Sequence, residues 1–350
     1  MDQQLLDVTL QASSLLKLAL LGVGGFVLSM ALTPLYTTVA YRWKLWKKPR
    51  TESLTGAKAT MFMKLHGEKH KRHIPTMAGV IFIVTTAILT LSANWSRAET
   101  WLPLAAFVGA AIVGLIDDII NIRSDGTGKA GLPSRLKFLL ITLVAAVGGW
   151  YFYYKLGFDS MQLPGFSQTS ITLGWWIIPL FTLVVVATAN AVNISDGLDG
   201  LAGGLTTIAF AVYAVIATLE HKYGIAGFCA VLVGALMSYT WFNVFPARFF
   251  MGDVGSFALG TALGVVAMYT DTVLLLPVIG IVFVAEAGSV ILQITSKKLR
   301  NGKKIFRISP IHHHFEAIGW PEAKVTMRFW VIAQVAALIG FALFVMGRYS

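Results

Sequence analysis

Long apolar segments, separated by short polar ones, occupy the chain from end to end. Most of them run for about 17 residues or more, the length that an α-helix needs to cross a hydrocarbon layer roughly 30 Å thick. A transmembrane β-barrel is excluded, because its strands alternate apolar and polar residues over runs of about ten. We predict ten transmembrane helices, at about 15–41, 77–93, 101–118, 137–154, 174–192, 201–219, 225–242, 255–270, 273–294 and 326–346.

The amino-acid composition agrees with this pattern. Hydrophobic residues make up 56% of the 350 residues and charged residues only 13%, whereas soluble domains carry roughly 25% charged residues. A disordered chain and a soluble globular domain are therefore excluded. We predict an all-α, polytopic membrane protein in which residues 1–350 form a single ten-helix transmembrane domain. The one cysteine, Cys229, rules out a disulfide within the chain.

The basic residues predict how the chain is oriented in the membrane. The formal net charge is +11, from 28 basic and 17 acidic residues, which raises the possibility of nucleic-acid binding. Ten helices would place both termini on one side, where the loops hold only Lys17, Arg97, Lys155, Lys222 and Arg348. The other 23 basic residues lie in the opposite loops, ten of them within 42–76 and eight within 297–328. By the positive-inside rule both termini are periplasmic and five loops face the cytoplasm, so the charge is a topology signal and no nucleic-acid partner is predicted.

Polar residues that a membrane anchor would not need collect in five clusters, all on the predicted cytoplasmic side. Hydropathy alone does not require this arrangement. We therefore predict that the five cytoplasmic loops form one shared active site at the inner face of the membrane. The clusters are Lys71–His73, Asp117–Asn121, Asn190–Gly200, Asn243 with Asp253, and Pro310–Glu316.

Asp117 and Asp118 end the otherwise apolar segment 102–116, where charge near a bilayer is costly. Adjacent helical residues point about 100° apart, so the two carboxylates cannot serve one ligand identically. One can hold a metal while the other contacts a phosphate. Asn121 lies one turn beyond Asp117, on the same face. Solvated carboxylates at a helix end are the alternative interpretation.

Asn190, Asn193, Asp196 and Asp199 recur every three residues and place a polar edge along a helix end. Gly197, between the two aspartates, permits a tight break in the backbone. A polar turn between two spans is the alternative. Such a turn needs neither two asparagines inside an apolar segment nor two aspartates interleaved with glycine.

Asp253 comes just before a predicted helix, where it is either an N-terminal cap or a metal ligand. Carboxylate clusters suit Mg²⁺, which binds one or two carboxylates and leaves its other positions to water and phosphate. A zinc site is not predicted, because the His-Glu-x-x-His spacing is absent. Such carboxylates beside basic donors suit phosphoryl transfer. The membrane face favours a lipid phosphate as one substrate and a soluble nucleotide or nucleotide-sugar as the other.

The three consecutive histidines at 312–314 cannot all face one metal from a regular element, but from a loop they can donate hydrogen bonds to phosphate oxygens. A packed or solvated histidine cluster is the alternative. Glu286 lies inside the predicted ninth helix. An acid within a membrane span is by default a functional residue, and a buried structural acid is the equal alternative here.

Four segments carry a resemblance to a known family: Asp117-Asp118, NAVNISDGLDGLAGG at 190–204, WFNVFPARFFMGDVGS at 241–256, and PIHHHFEAIGWPE at 310–322. Through nearly all ten helices the chain resembles the phospho-N-acetylmuramoyl-pentapeptide transferases. The aspartate pair marks only their superfamily, the polyprenyl-phosphate sugar-1-phosphate transferases. The histidine run followed by Phe-Glu and Gly-Trp-Pro-Glu is specific to the muramoyl-pentapeptide branch.

The resemblance implies a reaction of peptidoglycan synthesis. Undecaprenyl phosphate would attack the β-phosphate of UDP-MurNAc-pentapeptide, with Mg²⁺ as cofactor, giving lipid I and UMP. It also implies a ten-helix bundle with a broken ninth helix, usually a homodimer. Such a protein lies among the lipids of the bacterial cytoplasmic membrane, with its active site facing the cytoplasm.

The resemblance further implies roles for individual residues. Asp253 corresponds to the principal Mg²⁺ ligand, and Asp117 and Asp118 to catalytic acids close to the lipid phosphate and the metal. His312 falls at a catalytic position, and Phe250 matches an aromatic residue that can stack on uracil. The other substrate-binding positions are Lys71, Thr76, Asn193, Asp196, Asp199, Asn243, His313 and His314.

The chain departs from the family pattern in two places. Where the family usually reads Gly-Thr-Pro-Thr-Met-Gly-Gly, residues 73–79 read His-Ile-Pro-Thr-Met-Ala-Gly. The added side chains can reshape the backbone beside Lys71. Asn121 follows the wider superfamily, since a basic residue is common there in the branch. Neither change affects the three central aspartates.

Two other functions are consistent with parts of the pattern. A sibling transferase would use UDP-GlcNAc as donor, and the histidine motif argues against it. A transporter would usually place ionisable residues near the membrane midplane, often in two repeated halves, whereas here they crowd one face. Within the transferase hypothesis, the lipid phosphate attacks directly or an aspartate first forms a covalent intermediate.

Overall fold

The computed structural model describes residues 2–47, 73–124, 131–162 and 170–349. These residues form α-helices and one antiparallel strand pair, β1 (Ser160–Gln162) and β2 (Ser170–Thr172), in which Ser160 lies opposite Thr172. The helices are α1 (Asp2–Arg42), α2 (Gly79–Ala93), α3 (Trp101–Arg123), α4 (Ser134–Tyr154), α5 (Ile177–Ser195), α6 (Leu201–Leu219), α7 (Tyr223–Asn243), α8 (Gly252–Tyr269), α9 (Leu276–Ile279), α10 (Ile281–Leu299), α11 (Ile311–Ala317) and α12 (Glu322–Tyr349).

Eight of the described helices are long and apolar enough to cross a membrane: α1, α3, α4, α5, α6, α7, α8 and α12. The prediction of a polytopic, α-helical membrane protein is confirmed. Helix α2 is apolar but only 15 residues long, and the predicted ninth helix falls into the two pieces α9 and α10. The count of ten spans and the sidedness of the termini stay predictions.

The structure corrects the sequence prediction at three points. A small strand pair, β1–β2, accompanies the helices. The helix predicted from hydropathy at 273–294 is interrupted at Gly280, close to Pro277, in agreement with the broken ninth helix that the resemblance implied, and its second piece continues beyond the predicted end to Leu299. The polar end of that piece stays helical because Gln293 holds the loop that follows, accepting hydrogen bonds from the amides of Ile305 and Phe306 at 2.9 and 3.0 Å.

The third correction concerns the histidine run. We expected residues 310–316 to form part of a loop, but His312, His313 and His314 lie on the short helix α11. Pro310 directly precedes this helix, a position where proline is favoured because its missing N–H would have no partner there anyway. The helical geometry points the three rings in different directions.

Helix α8 lies at the centre of the molecule, and almost all of its residues are buried. Glycine allows α2 and α3 to approach its first turn closely. A Cβ atom at Gly114 of α3 would lie 2.2 Å from the carbonyl oxygen of Asp253, and one at Gly79 of α2 would lie 2.5 Å from Cα of Gly255. This contact brings the end of α3, with its two aspartates, against the start of α8.

The charged side chains in contact with one another collect at two ends of the helix bundle. We call the end that contains Asp117, Asp118 and Asp253 the site end. The opposite end contains Glu220 and Arg348, whose side chains meet at 2.6 Å. Between the two ends the core is mainly apolar, built from aliphatic, aromatic and alanine side chains.

Candidate active site

Three aspartates form the centre of the site. Asp117 and Asp118 come from the last turns of α3, and Asp253 comes from the first turn of α8. One carboxylate oxygen from each lies within 4.8 Å of the others. The side chains of Asp117 and Asp118 are buried, whereas that of Asp253 is 18% exposed. Asp253 is not the N-cap of α8, since Met251 holds that position.

Two lysines contact these aspartates, and neither was predicted from the sequence. Lys137, in the first turn of α4, lies 3.2 Å from Oδ2 of Asp117 and 3.0 Å from Oδ2 of Asp253. Lys47, just after α1, lies 2.9 Å from Oδ1 of Asp118 and 3.8 Å from Oδ1 of Asp253. Asp253 therefore contacts both ammonium groups.

The charge of Lys47 is stabilised at this position. Burial alone would lower the pKa of its ammonium group, but the nearby carboxylates of Asp118 and Asp253 raise that pKa above its usual range. Lys47 is one of ten basic residues within 42–76. Nothing in the sequence distinguishes it from the other nine.

Backbone amides hold two of the carboxylates in place. The amide of Leu132 donates to Oδ1 of Asp117 at 2.6 Å, and the amide of Val254 donates to Oδ2 of Asp118 at 3.0 Å. Gly252 permits the second contact. Its φ is +73°, and a Cβ there would lie 2.4 Å from Oδ2 of Asp118. The oxygens of Asp253, by contrast, contact the two lysines, and part of its side chain is exposed.

The donor set of this cluster fits a hard divalent cation such as Mg²⁺, which takes oxygen ligands and keeps room for water and phosphate. Asp117, Asp118 and Asp253 can supply the oxygens, and the partial exposure of Asp253 leaves an open side for further ligands. Among the described residues, this is the group of His, Cys, Asp and Glu side chains that could hold a metal ion.

The segment before α2 forms one wall of the site. Thr76 is buried, and its amide donates to the carbonyl of Leu45 at 2.7 Å. Phe250 is half-buried; its amide donates to the carbonyl of Pro75 at 2.8 Å, and its carbonyl accepts from the amide of Ala78 at 2.9 Å. These bonds bring Thr76 and Phe250 to the cluster. Lys71 lies outside the described residues.

The structure describes residues 73–79, where the chain departs from the family pattern, but not Lys71, so the effect of the departure on the backbone beside Lys71 stays a prediction. His73 takes a left-handed conformation with φ of +48°, which is the kind of position where the family's glycine is favoured. Ala78 is fully buried in ordinary helical conformation, with φ of −64°. The wall of the site beside Thr76 therefore accommodates both His73 and Ala78.

The end of α5 brings two further predicted residues to the site. Asn193 donates a hydrogen bond from Nδ2 to Oγ of Ser256 on α8 at 2.8 Å. Asp196 follows the last residue of α5. Burial, together with the charges of Asp253 and Asp118, raises its pKa to about 7, although Lys47 acts in the opposite direction. Asp196 thus shares the electrostatic environment of the cluster.

Asp199 and Asn243 have bracing contacts that the sequence did not reveal. Oδ2 of Asp199 accepts from the amide of Ala247 at 2.9 Å. Asn243 accepts from the amide of Gly200 at 3.0 Å and donates to the carbonyl of Phe249 at 2.8 Å. Both side chains are buried and hold the turn before α6 against the loop before α8. Their predicted role in substrate binding stays a prediction.

The three histidines have three different partners. Nδ1 of His312 lies 2.8 Å from Oε2 of Glu286, and Nδ1 of His313 lies 2.7 Å from Oε2 of Glu316. His314 accepts from the amide of Arg307 at 3.2 Å. The structure does not bring the three rings to one ligand, and His312 and Glu286 are both fully buried.

An apolar groove of about 370 Å³ lies beside the site, between α5, α8, α9 and α10. Its end near the site reaches Val192, the residue before Asn193. Polar side chains are almost absent from its wall. Its lining is Leu183, Val184, Ala187, Thr188, Ala191, Val192, Leu263, Val273, Leu276, Pro277, Gly280, Phe283, Val284, Ala287, Gly288 and Ile291.

Comparison with known proteins defines first the class and then the family. A model of glycosyl transferase family 4 matches residues 100–271, which include the three aspartates. The chain is 38% identical to the phospho-N-acetylmuramoyl-pentapeptide-transferase of Clostridium novyi over 90% of this chain and 93% of the relative. It is also 38% identical to the protein of that name from Chloroflexus aurantiacus, over 93% of this chain and 88% of the relative. For the protein of that name from a Geobacillus species the identity is again 38%, over 90% of this chain and 94% of the relative. The chain belongs to the phospho-N-acetylmuramoyl-pentapeptide-transferase family.

Proposed function

We propose that this protein transfers phospho-MurNAc-pentapeptide from UDP-MurNAc-pentapeptide to undecaprenyl phosphate, with lipid I and UMP as products. Membership of the family supports the reaction. The observation that carries the proposal is the cluster of Asp117, Asp118 and Asp253 with two lysines at one end of an apolar helix bundle. Phosphoryl transfer depends on this combination of carboxylates and cations, because the protein chiefly positions groups and neutralises charge.

The transfer exchanges one phosphorus–oxygen bond for another. An oxygen of undecaprenyl phosphate forms a bond to the β-phosphorus of the donor, and the bond from that phosphorus to the oxygen shared with the α-phosphate breaks. UMP leaves with that oxygen. The acceptor phosphate is already an anion and needs no base to become nucleophilic. We therefore favour direct attack over a covalent aspartyl intermediate.

Mg²⁺ is the proposed cofactor, held by Asp253 with Asp117 and Asp118. When bound, it would polarise the phosphate oxygens and stabilise the charge that develops on the leaving group. Lys137 and Lys47 contribute positive charge on either side of Asp253. We propose that they bind the non-bridging oxygens of the donor and acceptor phosphates and so reduce the repulsion between two anionic substrates.

We propose that the donor and the acceptor approach from different sides of the cluster. We place the nucleotide-sugar on the exposed side of Asp253, next to Asn193 and Asp196 and with Phe250 stacked on uracil. The other members of the proposed binding set are Lys71, Thr76, Asp199, Asn243, His313 and His314. The apolar groove that ends at Val192 is the proposed place for the first part of the prenyl chain. Burying that chain against apolar side chains is favourable by roughly 25 cal/mol per Å².

We propose ten membrane spans, which adds α2 and the pair α9–α10 to the eight long helices, within a single transmembrane domain. Both termini then lie in the periplasm and the five loops of the site end face the cytoplasm. The excess of basic residues in 42–76 and 297–328 supports this orientation. The proposed location is the bacterial cytoplasmic membrane, and a homodimer follows from the family resemblance.

The reaction is tested with purified protein in detergent, undecaprenyl phosphate and Mg²⁺, by following UMP release. We expect release with UDP-MurNAc-pentapeptide, none with UDP-GlcNAc, and none after EDTA until Mg²⁺ is restored. Release with UDP-GlcNAc alone would assign the chain to the sibling transferases. Folded protein that releases UMP from neither donor would contradict the transferase function and favour a transporter.

A further inference from the structure

Glu286 and His312 form a buried pair that the proposed chemistry does not use. Glu286 lies on α10 and His312 on α11, and both have no exposed surface. Nδ1 of His312 lies 2.8 Å from Oε2 of Glu286. A carboxylate accepts hydrogen bonds, so the ring donates from Nδ1 and presents Nε2 as the nitrogen on its far side.

On each side chain of the pair, the polar atom that does not face the partner is buried and lacks a hydrogen bond to the described residues. Nε2 of His312 and Oε1 of Glu286 have no hydrogen-bond partner in the described part of the chain. Leaving a buried polar atom unpaired typically costs about 1–3 kcal/mol. Two such atoms in one pair are unfavourable for stability, and such violations are expected at functional sites.

The far edge of the His312 ring lies against Gly197. A Cβ atom at Gly197 would lie 2.2 Å from Nε2 and 2.8 Å from Cε1 of that ring. The ring therefore occupies the space that a side chain at position 197 would take. Gly197 is exposed on its other side and directly follows Asp196, so the ring supports the turn that carries this aspartate.

We propose that Glu286 is a positioning residue. It holds the His312 ring in one orientation, and the ring supports the turn at Gly197 so that Asp196 faces the nucleotide-sugar. The inference rests on the proposed function, in which Asp196 contacts the donor. It also differs from the assignment of His312 as a catalytic residue. The His312 ring is buried and covered by Gly197, so it cannot touch the substrate and acts on it only through the turn.

The pair is tested by two substitutions at position 286. In Glu286→Gln the amide oxygen still accepts a hydrogen bond from Nδ1, whereas Glu286→Leu keeps the volume and loses the acceptor. We expect Glu286→Leu to raise the KM for UDP-MurNAc-pentapeptide about tenfold, with kcat and the KM for undecaprenyl phosphate changed less than about threefold. Glu286→Gln should restore most of the loss. Glu286→Leu leaves Nδ1 of His312 buried without an acceptor, which destabilises the fold, so the kinetic constants are measured on protein shown to be folded.

Glu220→Gln is the matched control, since Glu220 is also a buried, paired acid but lies at the opposite end. It should leave both KM values unchanged.

Gly197→Ala tests the same turn independently, because its methyl group would collide with the His312 ring. We expect it to raise the donor KM as well, and the double variant Gly197→Ala with Glu286→Leu to show much less than the product of the two effects.

Two results would overturn the inference. A fall in kcat of tenfold or more at unchanged donor KM would mean that His312 acts in the chemical step. Unchanged kinetics in folded Glu286→Leu would mean that the pair only packs α10 against α11. The proposed function is tested separately in the same assay, since wild-type protein that releases no UMP refutes the reaction whatever the variants do.

Discussion

The two ends of the helix bundle use the same kinds of charged residue in opposite ways. At the opposite end, each acid is matched by a cation or a backbone donor. Glu220 lies 2.6 Å from Arg348 and 3.8 Å from Lys222, and Lys222 also donates to the carbonyl of Tyr269 at 2.8 Å. Both oxygens of Asp271 accept from the amide of Gln162, at 3.0 and 3.1 Å.

At the site end, three carboxylates share two lysines and lie within 4.8 Å of one another. Asp253 contacts both lysines and keeps part of its surface exposed. The cluster is thus short of positive charge, and the shortage is concentrated where a ligand can approach. Like charges held this close are unfavourable unless a further cation joins them.

A structural charge cluster and a functional one differ in this fold by whether their charges are balanced. The opposite end joins loops from α4, α6, α8 and α12 into a neutral network, which stabilises the bundle. The site end retains unbalanced charge, which suits a metal ion and phosphates. Substitutions at the site end should therefore change turnover more than stability, and those at the opposite end should do the reverse.

The largest expected effect comes from Asp253→Asn. This change keeps the shape of the side chain and removes the charge that both lysines and the proposed Mg²⁺ share. Loss of a central electrostatic group typically costs about 10²–10³ in rate, and we expect about 10³-fold less UMP release at saturating substrate. The melting temperature should change little. Wild-type turnover at saturating Mg²⁺ would contradict the assignment of Asp253.

At the opposite end, Arg348→Gln should act on stability. It leaves Glu220 buried with only the more distant Lys222, at 3.8 Å. Arg348 is partly exposed, so we expect a loss of about 1–2 kcal/mol and a fall in melting temperature of roughly 2–6 °C. The kcat of the folded fraction should equal that of wild type. A fall in kcat without a fall in melting temperature would break the contrast between the two ends.

Lys47→Met tests whether the site end is short of positive charge because a metal ion completes it. The Lys47 ammonium competes with a metal ion for Oδ1 of Asp118, which lies 2.9 Å away. Removing it should lower the half-saturating Mg²⁺ concentration about fivefold, which corresponds to roughly 1 kcal/mol of binding free energy. The measurement is a Mg²⁺ titration of UMP release, with Lys47→Arg as the variant that keeps the charge. An increase in the half-saturating concentration would show that Lys47 assists metal binding.

The smallest expected effect is the pH dependence of stability at Asp196. Burial raises its pKa to about 7 in the folded protein, above the usual value near 3.9. The folded state therefore binds this proton more tightly, and the contribution of Asp196 to stability falls as the pH rises from about 4 to about 7. Asp196→Asn should raise the melting temperature by about 3 °C at pH 8 and hardly at all near pH 4. Equal differences at both pH values would contradict the shifted pKa.

Much of the fold could be predicted because membrane insertion is a property of each segment. The segment Trp101–Arg123 is long and apolar enough to cross a bilayer wherever it lies in the sequence, and the same holds for the other long helices. The family resemblance implied a break in the ninth helix, but its position at Gly280 and the strand pair β1–β2 were not predicted, since both depend on short segments whose conformation is set by their neighbours.

The site could be predicted only in part, for a related reason. Asp117, Asp118 and Asp253 stood out because a carboxylate beside an apolar segment is costly without a function. Lys47 and Lys137 did not stand out, because basic residues are abundant in the loops of the site end. Glu286 was visible as an acid within a helix, but its partner His312 lies 26 residues further along the chain.

That the chain is a helical membrane protein follows from its amino-acid sequence, because the free energy of transferring a segment from water to lipid depends on that segment alone. The residue types in the loops likewise define the chemistry available to the site. Which carboxylate meets which lysine, and the support of Gly197 by the His312 ring, follow from the tertiary structure. Such contacts depend on how helices far apart in the chain pack against one another, to within a few tenths of an ångström, and local sequence patterns carry no information at that scale.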